Sequence, residues 1–408
     1  MEPNPKYLPL SWGYGLAVFL RNELFDLGIL RSQEFDIPVI GVGNITVGGT
    51  GKTPCVEYLI RLLKDDCKVA VLSRGYKRQT KGYVLANDST PATDIGDEAF
   101  QIKQKFSEVI VAVDEKRADG IKHLLQLNPK PDVVILDDCY QHRYVKPGIN
   151  ILLMDYNNMP DKDKLLPAGR LREPVSSRSR ADIIIVTKCP ADLKPIDFRV
   201  LTKEVSVYPY QRIYFSSVEY LPLRKMEPST IPSLRETQGK LGSGQANHQP
   251  PAITPDTNVL LLTGIATPMQ MYEDMKKKTS HITSLTFADH HEFLTEDIQK
   301  INNTFANMAQ PKIIVTTEKD ETRLMALTRL SQEVKDNLYV QPIEVRIINE
   351  QEEKFMNSIE EFVLHKKKDH SKRNENENDN DNDGSTGSPT NDDGQTSNQT
   401  KTISFADY

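Results

Sequence analysis

Gly51-Lys52-Thr53 closes a glycine-rich turn that follows an apolar run, in the order Val39-Ile-Gly-Val-Gly-Asn-Ile-Thr-Val-Gly-Gly-Thr-Gly-Lys-Thr-Pro54. Residues of these types at this spacing can hold phosphate. Glycines let backbone N–H groups close around phosphate oxygens, the Lys52 ammonium reaches β and γ phosphates, and the Thr53 hydroxyl suits Mg2+. Gly48, Gly49, Thr50 and Gly51 form the cradle in this reading. A strict phosphate loop asks for glycine five residues before Gly51, where Thr46 stands. The alternative is a plain flexible turn. The strand before it, the helix-like Val56–Lys64 after it and the Lys-Thr pair favour phosphate.

A phosphate-loop protein holds Mg2+ with an acidic residue at the end of a nearby strand, and Val133-Val-Ile-Leu-Asp-Asp138 offers Asp137 and Asp138. Three classes of function use such parts: a kinase, a GTPase-type switch and a nucleotide-dependent scaffold. A GTPase needs an aspartate three residues after the Asn or Thr of its base-reading segment. Ile185-Val-Thr-Lys-Cys-Pro190 puts Pro190 there, which sets the switch below the kinase. A kinase also needs a carboxylate or imidazole to orient or deprotonate the acceptor. Gly96-Asp97-Glu98 and Ala288-Asp-His-His-Glu-Phe293 are the two candidate places. Taken singly, Asp97 reads better as a helix cap, and His290 and His291 better as a metal-free surface pair.

These residues need elements to position them. From Phe35 to Lys188 apolar runs alternate with helical patterns: Ile37–Val42, Val69–Ser73, Val109–Val113, Val133–Leu136, Ile149–Met154 and Ile183–Thr187 predict strands. The alternation implies an α/β fold, a P-loop NTPase-like α/β/α domain with ligands at the carboxyl ends of its parallel strands. A second, smaller α/β/α domain is expected over 258–345. Arg212–Tyr220 and Leu338–Ile347 are expected to pair as a two-stranded connector. The remaining expectations are an N-terminal helix within 1–30, a kinase domain over 31–210, a connector and flexible insertion over 211–257, a C-terminal helix over 346–367 and a disordered acidic tail over 368–408.

The net charge of −6 over 408 residues argues against a general nucleic-acid binder. Four cysteines without CxxC spacing indicate neither a disulfide scaffold nor zinc. No signal peptide is expected. The uncharged stretch Tyr7–Leu20 is shorter than a membrane span needs. Leu16, Leu20, Leu24 and Leu27 share one helical face, which suits a membrane interface and a docking helix equally.

With these residues in place, the chain resembles the tetraacyldisaccharide 4'-kinase family over most of residues 5–350. The resemblance rests on Gly43-Asn-Ile-Thr-Val-Gly-Gly-Thr-Gly-Lys-Thr-Pro54, Ser73-Arg-Gly-Tyr-Lys77, Gly96-Asp-Glu98, Leu136-Asp-Asp-Cys-Tyr-Gln-His142, Leu166-Pro-Ala-Gly-Arg-Leu-Arg-Glu-Pro174 and Thr317-Glu-Lys-Asp320. Cys139 replaces the glycine usual in the family. The resemblance implies a kinase that uses ATP and Mg2+ on the 4'-hydroxyl of tetraacyldisaccharide 1-phosphate, a lipid A disaccharide precursor, to form lipid IVA. It implies Asp97 and His290 as a catalytic dyad, and Thr53, Asp137 and Asp138 on the metal side. Asn44, Arg74, Tyr76, Arg117, Gln141, His142 and Arg172 are then the expected substrate-binding residues. The expected location is the cytoplasmic face of a Gram-negative inner membrane, with the N-terminal helix in the membrane surface and no obligate protein partner.

Overall fold

In the computed structural model, β1 (Val39–Gly43), β2 (Val69–Ser73), β5 (Val133–Leu136) and β7 (Ile183–Thr187) are buried along their whole length. Strands covered on both faces read as unbroken apolar runs, which is why their sequences show no alternation. The structure describes residues 5–226, 252–265, 268–288, 291, 293–325, 327 and 329–366. The insertion expected within 211–257 falls largely outside these residues, and so does the tail over 368–408.

Among the described residues the strands form two sheets. The first adds β3 (Val84–Leu85), β4 (Ile110–Val113), β6 (Ile149–Asp155), β8 (Arg212–Tyr220) and β14 (Ile343–Ile347), in the order β14-β8-β7-β6-β1-β5-β2-β4-β3. It is parallel from β8 to β4, with antiparallel β3 and β14 at its edges. One face packs on α2 (Lys52–Leu63), α4 (Asp97–Lys105) and a C-terminal helix over 352–366, through residues such as Leu59, Ile102 and Phe355. The other face packs on α5 (Arg117–Leu125) and α6 (Pro195–Val205). The remaining helices on this side of the chain are α1 (Leu8–Asp26) and the single turn α3 (Ala92–Ile95).

The second sheet has the order β11-β10-β12-β13-β9, from β9 (Arg224–Lys225), β10 (Asn258–Thr263), β11 (Ile282–Thr286), β12 (Lys312–Thr317) and β13 (Leu338–Gln341). Helices α7 (Met269–Lys276) and α8 (Thr295–Ala306) cover opposite faces. α9 (Glu318–Met325) and α10 (Gln332–Asp336) lie between β12 and β13 in the chain. Both sheets belong to one compact unit, Met1–Lys367.

The expected connector differs in form. Arg212–Tyr220 does pair with Ile343–Ile347, but as the edge of the large sheet, while Leu338–Gln341 turn away into the second one. Pro342 alone separates the two strands. The chain thus crosses between sheets at 221–223 and at Pro342, and the crossings are bonded together. Leu221 N donates to the Pro342 carbonyl at 3.0 Å, and the buried Gln341 amide donates to the carbonyls of Leu221 and Pro342. Nearby, Lys105 at the end of α4 bonds Glu57 of α2 at 2.7 Å and Glu318 of α9 at 2.9 Å. Ile343 N in turn donates to Glu318 at 3.4 Å.

Candidate active site

The phosphate loop leaves β1 at Gly43 and enters α2 at Lys52. Gly51 sits at φ 84°, a left-handed conformation that costs glycine little and other residues much more. It leads into a helix whose N-terminus has no side-chain cap, so N–H groups of the first turn remain to meet an anion. The first half of the loop is braced on one side by 170–172: Val47 N donates to Arg170 O and Arg172 N to Ile45 O, both at 2.8 Å. Thr46 thereby forms an antiparallel bridge with Leu171, an extended conformation that requires no glycine. Within the loop, Asn44 Nδ2 donates to Thr50 Oγ1 at 2.7 Å, and Gln141 Nε2 donates to Asn44 O at 2.8 Å.

The opposite side is braced by residues outside the expected site. Thr187 Oγ1 donates to Thr50 O at 2.9 Å. Lys188 Nζ donates to Gly49 O and pairs with Asp155 Oδ2 at 2.9 Å. The Thr-Lys pair that imitates a base-reading segment thus holds the phosphate loop, and that pair was the signal in the sequence.

The two aspartates after β5 have different surroundings. Asp138, at φ 47°, faces Lys52 Nζ at 3.6 Å, and Arg172 Nη1 donates to its Oδ1 at 3.0 Å and Oδ2 at 3.1 Å. Burial pushes its carboxyl up, but Lys52 and then Arg172 outweigh it and hold the group below the usual carboxylate range. Asp137 is buried, and its Oδ1 has no hydrogen-bond partner. Burial, then the negative charges of Glu98 and Asp138, push it up to about 7 against the pull of Lys52 and Arg117. Glu98, whose charge acts on this carboxyl, stands in the first turn of α4.

Arg117 is 2% exposed, and its guanidinium donates to the carbonyls of Asp114 and Asp137. It braces the loop carrying Asp137 through Nη1 and Nη2, while its Nε has no hydrogen-bond partner. His142 is driven down to about 4 by burial and by Arg117, Arg74 and Arg21, so its ring is neutral at pH 7. Arg74 and Tyr76 stand exposed on the loop after β2.

Asp97 opens α4 directly after Gly96, which has φ 85° and lies so close to the 75–76 backbone that an added Cβ would meet Tyr76 O at 2.8 Å. The loop carrying Arg74 and Tyr76 is therefore packed against the start of α4. Arg323 of α9 brings the second sheet here, its Nε 3.4 Å from Asp97 Oδ2. His290 lies outside the described residues. Its neighbour His291 stacks on Phe287 and bonds Asp297 at 2.8 Å, which commits that ring to the start of α8.

α1 is docked by its polar side. Ser11 Oγ donates to Leu165 O at 2.9 Å, Tyr14 OH to Arg172 O at 2.7 Å and Arg21 Nη2 to Gln141 O at 3.0 Å. Its apolar side is exposed: Trp12 73%, Leu16 59%, Phe19 54% and Leu27 just beyond its end 70%. The sequence left docking and interface open, and the helix docks while presenting an apolar face outward. Among the described residues no helix is long and apolar enough to cross a membrane.

A profile described as tetraacyldisaccharide-1-P 4'-kinase matches residues 5–363. The tetraacyldisaccharide 4'-kinase of Bacteroides thetaiotaomicron is 50% identical over 353 residues, covering 86% of this chain and 91% of that protein. That of Phocaeicola vulgatus is 49% identical over 359 residues, covering 87% and 94%. Among solved structures, LpxK from Aquifex aeolicus in complex with ATP is similar at a TM-score of 0.62 and 27% identity, over 88% of this chain and 98% of that one. A profile match across nearly the whole length, with relatives this similar over most of both chains, establishes that the chain belongs to the tetraacyldisaccharide-1-P 4'-kinase family.

Proposed function

We propose that this chain transfers the γ-phosphoryl group of ATP to the 4'-hydroxyl of tetraacyldisaccharide 1-phosphate, forming lipid IVA. One observation carries the reading: an uncapped helix N-terminus with Lys52, a buried carboxylate with one oxygen unpartnered and the Asp97 turn converge at the carboxyl ends of β1, β2 and β5. In the transfer, the 4'-oxygen bonds to the γ-phosphorus as the bond to the β-phosphate oxygen breaks and ADP leaves. Asp97 accepts the hydroxyl proton, and His290 orients that carboxylate. Lys52 offsets charge on the transferring group. The exposed Arg74 suits the 1-phosphate better than Arg117, and Tyr76, Gln141, neutral His142 and Arg172 are assigned to the sugar, with buried Asn44 accepting from Gln141 through its carbonyl.

The residues present fit Mg2+. Mg2+ binds through one or two carboxylates plus substrate phosphates, and Asp137 is a buried carboxylate with one oxygen unpartnered and its charge disfavoured, which a cation would restore. Asp137 and the Thr53 hydroxyl would hold it, while Asp138 is engaged by Lys52 and Arg172. When bound, the ion neutralises charge on the phosphate oxygens.

The direct test is transfer of labelled γ-phosphate from ATP to tetraacyldisaccharide 1-phosphate in detergent micelles. Labelled bis-phosphorylated lipid is expected from the wild type, falling by about 10²- to 10³-fold in Lys52→Ala. Lipid labelled equally by both proteins would remove the phosphate loop from the reaction.

The acceptor's acyl chains lie in a membrane, so α1 is read as an interfacial anchor on the cytoplasmic face of the inner membrane. Its docking bonds contribute about 1 kcal/mol each, whereas each large apolar side chain gains roughly 1.5–3 kcal/mol on leaving water. Trp12→Ser/Leu16→Ser/Phe19→Ser is expected to move the protein from the pellet to the supernatant when sedimented with anionic vesicles, with its melting temperature unchanged. Undiminished co-sedimentation would rule out this face as the anchor.

A further inference from the structure

Arg323 belongs to no sequence motif named above, yet its buried guanidinium reaches three groups. Nε is 3.4 Å from Asp97 Oδ2, and Nη2 is 3.3 Å from Asp320 Oδ1. Nη1 donates to the His291 carbonyl at 3.5 Å. Asp320 is a firm base for this contact. It is 0% exposed, and its Oδ2 accepts from Gly264 N at 2.9 Å, just past β10, and from Thr317 Oγ1 at 2.7 Å, the last residue of β12. Arg323 Nε and Nη2 make ion pairs but no hydrogen bonds. A buried donor without a hydrogen bond costs about 1–3 kcal/mol, so tightening onto the two carboxylates is favourable. Catalytic contacts are commonly long before substrate binds and shorten in the complex.

We propose that Arg323 is a positioning residue that carries the rigid anchor of Asp320 to Asp97 and fixes the direction in which that carboxylate faces the acceptor hydroxyl. The inference rests on the reading of Asp97 as proton acceptor. An ordinary surface ion pair would leave turnover untouched. This guanidinium is instead buried and spans two carboxylates on elements that pack on different sheets. A planar fork can serve both at once, which a lysine ammonium cannot.

The test compares full-length Arg323→Lys, Arg323→Gln, Asp97→Asn and Asp97→Asn/Arg323→Gln. Arg323→Gln is expected to lower kcat by about 10²-fold, the effect of misplacing a reacting group by an ångström, with Arg323→Lys in between. KM for ATP stays within about two-fold, and adding Arg323→Gln to Asp97→Asn costs less than about two-fold more, because residues that act as a unit are not additive. Wild-type kcat in Arg323→Gln, or the same loss on both backgrounds, overturns the proposal and leaves Asp97 as the base. Near-wild-type turnover by Asp97→Asn overturns both. Arg323→Gln/Asp320→Asn removes the buried charge pair together: slow turnover at a wild-type melting temperature supports the proposal. Recovered turnover would make Arg323 only a counter-ion to Asp320 and overturn it.

Discussion

Asp97→Ala is expected to turn over about 10²- to 10⁴-fold more slowly than the wild type, the range a positioned proton acceptor supplies, with KM for ATP nearly unchanged. The prediction separates the two readings that the sequence left open for this residue. As a helix-terminal acid alone, Asp97 would contribute about 0.3–1 kcal/mol of stability through the α4 dipole and nothing to rate. Its loss leaves Arg323 still paired with Asp320, so the fold should tolerate the change. Single-turnover transfer at saturating ATP, with a melting curve alongside, distinguishes the cases. Wild-type turnover with a slightly lower melting temperature would leave Asp97 a helix-terminal acid only and end its catalytic role.

Asp137→Asn is expected to be more stable than the wild type without metal at pH 8, and slower by about 10²- to 10³-fold with Mg2+ and ATP. The sign follows from the carboxyl's position. In the fold it sits at about 7, and in the unfolded chain near its ordinary 3.8. The folded state therefore holds a proton that the unfolded state has released, and stability falls as pH rises from about 4 to about 7. By pH 8 the cost reaches as much as about 4 kcal/mol, which asparagine avoids. Melting temperatures at pH 5 and pH 8 in chelator check this. The wild type should decline more than Asp137→Asn, and parallel declines would mean that Asp137 is ionised throughout.

The central parallel strands were legible because burial on both faces writes them as apolar runs bounded by turn residues. β3, β9 and β11 were not: two are only two residues long, and Ile282–Thr286 is an edge strand with polar positions outward. The phosphate loop and the aspartates after β5 were legible because their chemistry is local. Arg117 was expected among the substrate-binding residues, and only the fold shows its buried guanidinium donating to the loop carbonyls of Asp114 and Asp137. Arg323 was invisible for the complementary reason. Its significance comes from Asp97, more than two hundred residues earlier, and no local pattern encodes that meeting.

The paired crossings at 221–223 and Pro342 constrain how the halves of the chain can move. A body attached by one strand can bend, twist and slide. Attached by two strands bonded side by side, it is left to swing about the line through them. The Lys105–Glu318 end of the α4–α9 contact is tied to this axis through Ile343, and the Asp97–Arg323 end lies at the other end of α4. Eight residues of helix make a lever arm of about 12 Å, so a swing of roughly 5° displaces the far end by about 1 Å. A small rotation about this axis would therefore be magnified at the Asp97–Arg323 contact, while the lysine–glutamate cluster beside it would stay nearly still.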